Sequence, residues 1–492
     1  MTELLPSLPP YEGGCVSLNI YNAGQGLHAR PNDEQPYCRE DQLSRNDFLY
    51  ELGLITRFGV RVDDMSEENG TLRLALSRGD DRYRVEKTDD KLRVETLTHR
   101  PMDKPTLARL VTETTREAFF AYVDRLKALG YEVIWENAVD SNAYCELSGG
   151  GRLLYAYFCG QIGQARFIDD PVSARIDDFG SPAPAHPAKV QICQFSLHYD
   201  YAVHKRGVGI DCGMCYIVRL PDRSLFLVDG GEMEQATEEA MPELLRVMRE
   251  MALVRPGEKI RVAAWFCTHA HDDHMDVFTK LLRLYHDQMD VERVIFNFAA
   301  YQRFELMPQV FPLLERLTAC YPHARYLKAH SGQSFSLAGV RFDVLSTHED
   351  VLMQSGAESI RDFNETSTVL KLSFEGVSFL LTGDINRHGA AWLLANYRPE
   401  TLHAELVQAA HHLHNDLPEL YAAMKPDRVV VPQDIKALAA QQTQYRSLLK
   451  GVSAENVYFD EGKTLFFQEQ NGAIVLTQTC PSVGGLYDGS DI

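Results

Sequence analysis

The chain has 492 residues, and its 49 lysines and arginines against 69 aspartates and glutamates give a formal net charge of −20. Hydrophobic residues make up 45% of the chain and charged residues 24%, which are ordinary globular values and exclude a largely disordered protein. Because an excess of negative charge this large repels polyanions, long nucleic acid is not an expected partner.

The length predicts two or three domains. No apolar run approaches the roughly 18 residues that a transmembrane helix needs, so no membrane association is expected. The N-terminal sequence MTELLPSLPPYEGG lacks the basic start of a secretory signal, which predicts a cytoplasmic protein with free thiols at its ten cysteines. The closely spaced Cys212 and Cys215 form a lone CxxC, which we interpret as two incidental thiols, with a redox or metal role as the alternative.

Residues 1–170 are predicted to form an α+β accessory module. Residues 101–130 carry apolar side chains at helical spacing, which predicts one amphipathic helix. Alternating apolar and polar residues predict strands on both sides of it, in the segments TLRLALS, DRYRVEKT, KLRVETL, YEVIWENAV, NAYCEL, RLLYAYF and QARFID. The histidines of this module are isolated, so we expect it to shape access to a site that lies elsewhere in the chain.

A linker is predicted at residues 171–189, where PVSARIDDFGSPAPAHPAK holds four prolines. Residues 190–480 are predicted to form the second domain. Strand-like and helical runs alternate there up to about residue 435, which indicates sheets covered by helices. The segment VYFDEGKTLFFQEQNGAIVLTQ predicts a closing hairpin with its turn near Asn471.

The strongest chemical signal is the run THAHDDH, which directly follows an apolar strand. In an extended segment His269 and His271 point the same way, and a turn into a helix would bring Asp273 and His274 to the same pocket. Imidazole and carboxylate groups are the ligands of zinc and other first-row divalent ions. The alternative is a polar loop with accidental histidines, which we disfavour because crowded imidazoles need a compensating partner.

Two later strand ends carry further candidate ligands. Asp384 follows the strand VSFLL, where an isolated aspartate is typical of an ordinary turn. His411 and His412 follow the apolar run ELVQAA. Because neighbours on a strand point to opposite faces, only one of these two histidines is expected to reach the site. Each signal is weak alone, but beside HxHxDH they predict a shared metal site.

In content and order these signals, preceded by the run LVDGG, resemble the metallo-β-lactamase superfamily over about residues 190–475. The branch that includes the competence proteins is the most similar, because there a run N-x-x-S-x-V-L-x-L precedes L-L-x-G-D and a His-His pair. This chain supplies that run with Asn364, Ser367, Val369, Leu370 and Leu372. It departs from the branch at His271, where aspartate is frequent, and at the leucine after the His-His pair. The second departure leaves open which of the two histidines binds metal.

The resemblance implies an α+β fold, in which an αββα sandwich holds two metal ions in a groove between its sheet edges. The implied metal ligands are His269 and His271 at one ion, Asp273 and His274 at the other, Asp384 as the bridge, and His411 or His412 as the last member. Asp273 and Asp384 are also the implied catalytic residues. His348 lies where some members place a further ligand, and Asp229 is expected to orient ligands by hydrogen bonds.

Two closely spaced divalent ions lower the pKa of a shared water and stabilise the charge that develops on oxygen during hydrolysis. Zinc is the expected ion, and manganese or iron suits the same ligands. The sequence therefore predicts a binuclear hydrolase of a small ester, thioester or phosphodiester. The alternatives are a nuclease or phosphodiesterase on nucleic acid, a metal-binding module without catalysis, and a redox protein on the same fold.

Overall fold

A computed structural model describes these residues: 8–21, 38–42, 45, 48–49, 52, 56, 61–78, 81–89, 91–97, 106–177, 179–196, 213–231, 240–255, 257–299, 317–354, 360, 362–415, 417–433, 451–460 and 462–481. Cys212 lies outside them, and so do residues 1–7 of the N-terminal sequence that bears on secretion. Eight cysteines are free thiols, as expected for those positions: Cys15, Cys145, Cys159, Cys193, Cys215, Cys267, Cys320 and Cys480.

The described part of residues 1–170 forms two antiparallel sheets. Their strands are β1 (Cys15–Tyr21), β2 (Cys38–Gln42), β3 (Arg61–Glu68), β4 (Thr71–Arg78), β5 (Asp81–Lys87), β6 (Lys91–Thr96), β7 (Thr106–Thr112), β8 (Glu132–Val139), β9 (Asn142–Gly149), β10 (Arg152–Cys159) and β11 (Gln164–Asp170). One sheet has the order β2-β6-β5-β4-β3, and the other has the order β1-β7-β11-β10-β9-β8. Helix α1 (Arg116–Ala128) covers the second sheet with Phe119, Val123 and Leu126.

The predicted helix at 101–130 is wrong over residues 106–112, and residues 101–105 lie outside the described part of the chain. Residues Thr106–Thr112 form β7, which pairs with both β1 and β11 inside the sheet. Two neighbouring strands satisfy the backbone groups of TLARLVT, so sheet pairing overrides the helical spacing. The helix begins only after Thr115, whose side chain accepts a hydrogen bond from the backbone N–H of Ala118. The seven strands expected in this module are confirmed.

The rest of the chain is built on two larger sheets. Their strands are β12 (Gln191–Gln194), β13 (Cys215–Arg219), β14 (Leu225–Asp229), β15 (Ile260–Phe266), β16 (Met289–Val291), β17 (Arg293–Phe296), β18 (Arg325–Lys328), β19 (Ser334–Leu337), β20 (Val340–Ser346), β21 (Val369–Phe374), β22 (Val377–Leu381), β23 (Leu406–Gln408), β24 (Arg428–Val431), β25 (Val457–Phe459), β26 (Lys463–Gln470) and β27 (Ala473–Pro481). The expected hairpin at the end of this region is confirmed as β26 and β27, joined at Asn471 and Gly472.

Each of the two sheets is parallel at one end and antiparallel at the other. The first has the order β18-β17-β15-β14-β13-β12-β26-β27, with β16 beside β15, and the second runs in order from β19 to β25. The helices are α2 (Ala240–Ala252), α3 (Asp276–Tyr285), α4 (His348–Leu352), α5 (Arg387–Asn396), α6 (Pro399–Leu402) and α7 (Pro418–Met424). None of the helices in the described residues is long and apolar enough to cross a membrane.

Three apolar layers hold these elements together. Between the sheets, side chains of β13, β14 and β15 interdigitate with those of β20, β21 and β22. On the outer face of the first sheet, Trp265 and Leu227 pack against α2 and α3. On the outer face of the second sheet, Leu380 and Val407 pack against α5 and α7. The order is therefore helix, sheet, sheet, helix, which leaves the strand ends free to carry polar groups.

The sheet that contains β10 and β11 packs against one end of this sandwich. Tyr155 and Tyr157 lie in one buried apolar cluster with Val351, Leu352 and Trp392. Between these layers lies a set of buried charged groups, Asp170, Lys328, His330 and Glu349, which we call the interface network. Residues 171–189 lead from β11 to the sandwich, where Gly339 N–H donates to the carbonyl of Ser181.

Candidate metal centre

The HxHxDH run lies at the carboxyl end of β15, as expected. The strand ends at Phe266, and residues Asp272–His274 form a single 3-10 turn before α3 begins. Two glycines allow the close packing here. A Cβ on Gly230 would lie 1.9 Å from the Phe278 ring of α3, and one on Gly383, at φ +55°, would lie 2.9 Å from Ser367 Cβ. The glycines of the LVDGG and LLTGD runs are therefore steric requirements.

Four side chains converge at this edge: Asp273, His274, Asp384 and His412. Their ligand atoms all lie within 4.8 Å of one another. Asp384 Oδ2 is 3.3 Å from His274 Nε2 and 3.2 Å from His412 Nε2. Asp273 Oδ2 is also 3.2 Å from His412 Nε2. Atoms that share one ion tetrahedrally, at bond lengths of about 2.0–2.1 Å, lie about 3.3 Å apart, so these spacings fit a metal ion.

These atoms face a common point rather than hydrogen-bond partners. Within the described part of the chain, both carboxylate oxygens of Asp384, both ring nitrogens of His412 and Nε2 of His274 are buried and make no hydrogen bond. A buried polar group left without a partner costs about 1–3 kcal/mol. Five such atoms in one place form a group that could hold a cation, which suits the chemistry of these donors.

Charge in this group is balanced only by protons on histidine. Burial opposes ionisation of Asp384, but the His412 and His274 imidazoles outweigh it and hold the pKa of this carboxyl well below its usual range. Burial lowers the pKa of His412, but the Asp384 and Asp273 carboxylates outweigh it and raise that pKa to about 9. A metal ion would take the place of those protons, because imidazole binds metal only in its neutral form.

Asp229 sets the orientation of His274, as expected. It is fully buried, and its Oδ2 accepts a hydrogen bond from His274 Nδ1 at 2.7 Å. The backbone N–H and the hydroxyl of Thr268 donate to the same carboxylate, at 2.7 and 2.6 Å. Asp229 adopts the left-handed region at φ +54°, which costs energy for a residue with a Cβ. His274 Nε2 is thereby turned toward the other three ligand atoms.

His269 and His271 flank the group of four without joining it. The His269 ring lies 4.2 Å from the His274 ring, measured between centroids, and 5.2 Å from the His271 ring. His269 Nε2 is 3.2 Å from Asn364 Oδ1. His271 Nδ1 is 3.7 Å from Asp273 Oδ1, and its side chain is 27% exposed. His269 is thus buried beside the centre, and His271 is the more exposed of the two histidines.

The late histidines lie in a different local structure from the one expected. Strand β23 ends at Gln408, and both His411 and His412 lie in a 3-10 turn with left-handed backbone angles, φ +49° and +48°. Strand alternation is therefore the wrong reason for their difference. His412 is buried among the four converging side chains, whereas His411 is 25% exposed and bonds to Asn364 and Asn415.

His348 is not one of the four converging side chains. Its Nε2 lies 2.8 Å from Asn297 Oδ1, at the start of α4 and close to the interface network.

Two contacts were missed by sequence reasoning, which assigned no role to Asn364 or Ser367. Asn364 touches two histidines, and Ser367 Oγ accepts from the backbone N–H of Asp384 at 2.9 Å. The spacing of these two residues in the run N-x-x-S was the signal available.

Parallel strands align several polar residues along this edge. Strands β22, β23, β24 and β25 run parallel, and the residues just after their carboxyl ends are Asp384, His412, Gln433 and Asp460 respectively. Gln433 Nε2 lies 3.3 Å from His414 Nε2, two residues beyond His412. The candidate ligands thus begin a row of polar side chains that continues along the sheet.

No protein-family model and no curated protein matches the chain. Among solved structures it is a distant match to a metal-dependent hydrolase of the beta-lactamase superfamily, Tm1679, with 12% identity, a TM-score of 0.33, and coverage of 55% of this chain and 95% of that one. A metallo-β-lactamase from Cronobacter sakazakii matches with 14% identity and a TM-score of 0.25, over 51% of this chain and 81% of that one.

CmlA, a diiron β-hydroxylase from Streptomyces venezuelae, matches with 15% identity and a TM-score of 0.30, over 56% of this chain and 53% of that one. These three similarities span about half of the chain. At identities this low, the description of the fold and the site rests on the packing and side-chain geometry given above.

Proposed function

We propose that the chain is a binuclear metal-dependent hydrolase that acts on a small ester, thioester or phosphodiester. The observation that carries the proposal is the convergence of buried ligand atoms without protein partners on Asp384, His412 and His274. The histidine and aspartate atoms lie 3.2–3.3 Å apart and still make no hydrogen bond within the described residues, and a bound cation would give them a partner. The donor set of two carboxylates and two imidazoles suits zinc, and also manganese or iron.

Asp273, His274, Asp384 and His412 would hold one ion, and His269 and His271 would hold the second, with Asp384 between the two. When bound, such ions lower the pKa of a coordinated water and stabilise the negative charge that develops on oxygen. The protein contributes the orientation of the ligands and a buried site. Asp229 fixes the His274 ring, the Ser367 hydroxyl holds the backbone at Asp384, and the buried setting strengthens every charge interaction.

A small substrate is proposed because the chain carries a net charge of −20. Long nucleic acid needs a basic track along its backbone, and so acidic a protein should bind it weakly at physiological salt. A pair of metal ions still supplies enough local positive charge to hold one phosphate or carboxylate. The substrate class is thus an activated ester, thioester or phosphodiester of limited size.

The test begins with metal-stripped protein that is reloaded with Zn²⁺ and assayed by elemental analysis. Two ions per folded chain are expected, and zero or one half would contradict the proposal. The loaded protein is then given chromogenic ester, thioester and phosphodiester substrates beside single-stranded DNA, at about 150 mM salt, where the Debye length is about 8 Å. Cleavage of DNA with the small substrates ignored would identify a nuclease instead. Asp384→Asn is the inactive control.

A further inference from the structure

The turns that carry Asp384 and His412 lie beyond the point where their strands are paired. Strands β22 and β23 run parallel, and the last pair of residues in the ladder between them is Leu380 with Val407. Asp384 Oδ2 nevertheless lies 3.2 Å from His412 Nε2. Contacts other than the sheet ladder must therefore hold these two ligand atoms at this spacing.

The side chain of Gln408, the last residue of β23, joins the two turns. It is fully buried, and its Oε1 accepts a hydrogen bond from the backbone N–H of Thr382 at 2.8 Å. Its Nε2 donates to the backbone carbonyl of Gly383 at 3.1 Å and to that of Ala409. Thr382 and Gly383 lie just before the aspartate ligand, and Ala409 precedes the turn of the histidine ligand. One amide therefore links the two chain segments where the ladder has stopped.

The orientation of this amide follows from its partners. The N–H of Thr382 can only donate, and the carbonyls of Gly383 and Ala409 can only accept. Oε1 must therefore face the N–H, and the two hydrogens of Nε2 serve the two carbonyls, since a turned amide would place donor against donor. The Thr382 hydroxyl also lies 2.9 Å from Gln408 Oε1. The amide is thus occupied with the two turns.

Both turns contain backbone angles that need such support. Gly383 has φ +55°, and His411 and His412 have φ +49° and +48°. The left-handed region is unfavourable for residues with a Cβ and persists only where surrounding contacts hold it. The backbone N–H of His411 donates to the carbonyl of Gly383 at 3.1 Å, so this carbonyl accepts both from the histidine turn and from the Gln408 amide. The two turns therefore form one hydrogen-bonded unit.

We propose that Gln408 is a positioning residue of the metal centre, which sets the spacing between Asp384 and His412 through their backbones. With the amide in place, the two ligand atoms are held at coordination spacing before an ion arrives, so binding does not have to order two separate turns. This inference rests on the proposed metal-dependent function, and it needs only the ion held by the group of four.

An apolar side chain of similar length should therefore weaken metal binding without removing a ligand. Gln408→Met keeps the length of the side chain and takes the partner away from the Thr382 N–H and the Gly383 carbonyl. Loss of a residue that orients metal ligands typically lowers metal affinity by about 10–100-fold. A merely structural role would lower the melting temperature and leave the metal affinity of the folded protein unchanged.

Gln194 offers a matched control. It is a glutamine at the end of β12 and is 1% exposed. Its Nε2 donates to the backbone carbonyl of Val431 at 3.3 Å, and its Oε1 accepts from the Tyr216 hydroxyl at 2.8 Å. Its amide thus bridges strands by the same kind of contact as Gln408, but in the contacts described it bonds to neither of the two ligand turns.

The test is a calorimetric titration of metal-stripped full-length protein with Zn²⁺, for the parent chain, Gln408→Met and Gln194→Met. In the tightest binding step, Gln408→Met is expected to bind about 10–100-fold more weakly than the parent, and Gln194→Met as tightly as the parent. The melting temperatures of the metal-free proteins, which both substitutions should lower, separate a loss of stability from a loss of affinity. Unchanged affinity in Gln408→Met would overturn the proposal, and so would an equal loss in Gln194→Met.

Failure of the proposed function gives a different result. The parent itself would then take up no zinc, which would overturn the metal-dependent function together with this inference. Circular dichroism checks the fold of each variant. If Gln408→Met does not fold, Gln408→Asn repeats the titration, because its amide is one methylene group shorter and should lose part of the link between the turns. Parental affinity in folded Gln408→Asn would likewise contradict the role of Gln408.

Discussion

The molecule contains two buried clusters of carboxylates and histidines, the metal centre and the interface network. They differ in the groups that face their carboxylate oxygens. In the interface network Asp170 Oδ1 and Oδ2 lie 2.7 and 2.6 Å from Lys328 Nζ and His330 Nε2. Glu349 Oε1 and Oε2 lie 3.3 and 2.7 Å from Lys328 Nζ and His330 Nδ1. Every carboxylate oxygen there faces a cationic nitrogen of the protein.

The metal centre has similar residue types but no lysine or arginine among its four converging side chains. Its oxygens and ring nitrogens lie at ligand spacing and leave their hydrogen-bonding positions open. The lesson is that composition does not separate a structural ion network from a metal site. What separates them is that the interface network contains the ammonium of Lys328 as a cation of the protein, whereas the four converging side chains of the metal centre include no such group.

The substitution Asp384→Asn tests the difference between the two clusters most directly. It keeps the shape of the side chain and removes the charge that balances a cation. We expect loss of at least one ion and of nearly all hydrolysis, with the fold retained. Asp229→Asn should cost less, about 10–100-fold in metal affinity or activity, because Asp229 acts through His274. Metal analysis and turnover of both variants check this, and full turnover in Asp384→Asn would refute the role of Asp384.

Within the metal centre, alanine at the two late histidines should give very unequal results. His412→Ala removes a buried member of the group of four and should abolish tight binding of one ion. His411→Ala removes a ring that bonds only to neighbours of the centre in the contacts described, so its loss of metal should be several-fold smaller. Elemental analysis after dialysis against a weak chelator measures both. Equal and mild losses would exclude both histidines as ligands.

In the interface network, Lys328→Met removes the cation that two carboxylates share. Breaking one partner of a buried pair leaves an uncompensated charge, which typically costs about 3–5 kcal/mol. We therefore expect a large fall in melting temperature, while the zinc content of the folded protein stays unchanged. Lys371→Met is the control, because the ammonium of Lys371 bonds only backbone carbonyls, those of Thr401 and His403, in the contacts described. Loss of zinc from folded Lys328→Met would show that the two clusters are linked.

The smallest effect expected is a pH dependence of stability at His330. Burial lowers the pKa of His330, but Glu349 and Asp170 outweigh it and raise that pKa to about 9. Because this value exceeds the unfolded value of about 6.5, the stabilisation is fully present below about pH 6.5 and is lost as the pH rises through about 9. The melting temperature of the parent should fall over this window more steeply than that of His330→Gln. Parallel curves for the two proteins would contradict the assignment.

The sequence predicts what is local and repeated. HxHxDH, the Gly-Asp strand end and the alternating strands were all readable, because each depends on residues close together in the chain. The 106–112 segment was misread because partner strands, β1 and β11, decided its structure. The interface network was invisible because its members come together only in the fold, as Asp170 and Lys328 do. The left-handed turn at His411 and His412 has no glycine to signal it.

The row of residues at the ends of β22 to β25 has a consequence for protein engineering. Each position is a single side chain at the edge of the sheet, while the strands behind it, such as LVQ of β23 and RVVV of β24, hold the sheets together. Gln433 and Asp460 are the next two positions in the row after the candidate ligands Asp384 and His412. Because Gln433 and Asp460 are 1% and 4% exposed, a mutant library confined to these two residues would vary the buried polar edge of the sheet and leave the sequences of the strands unchanged.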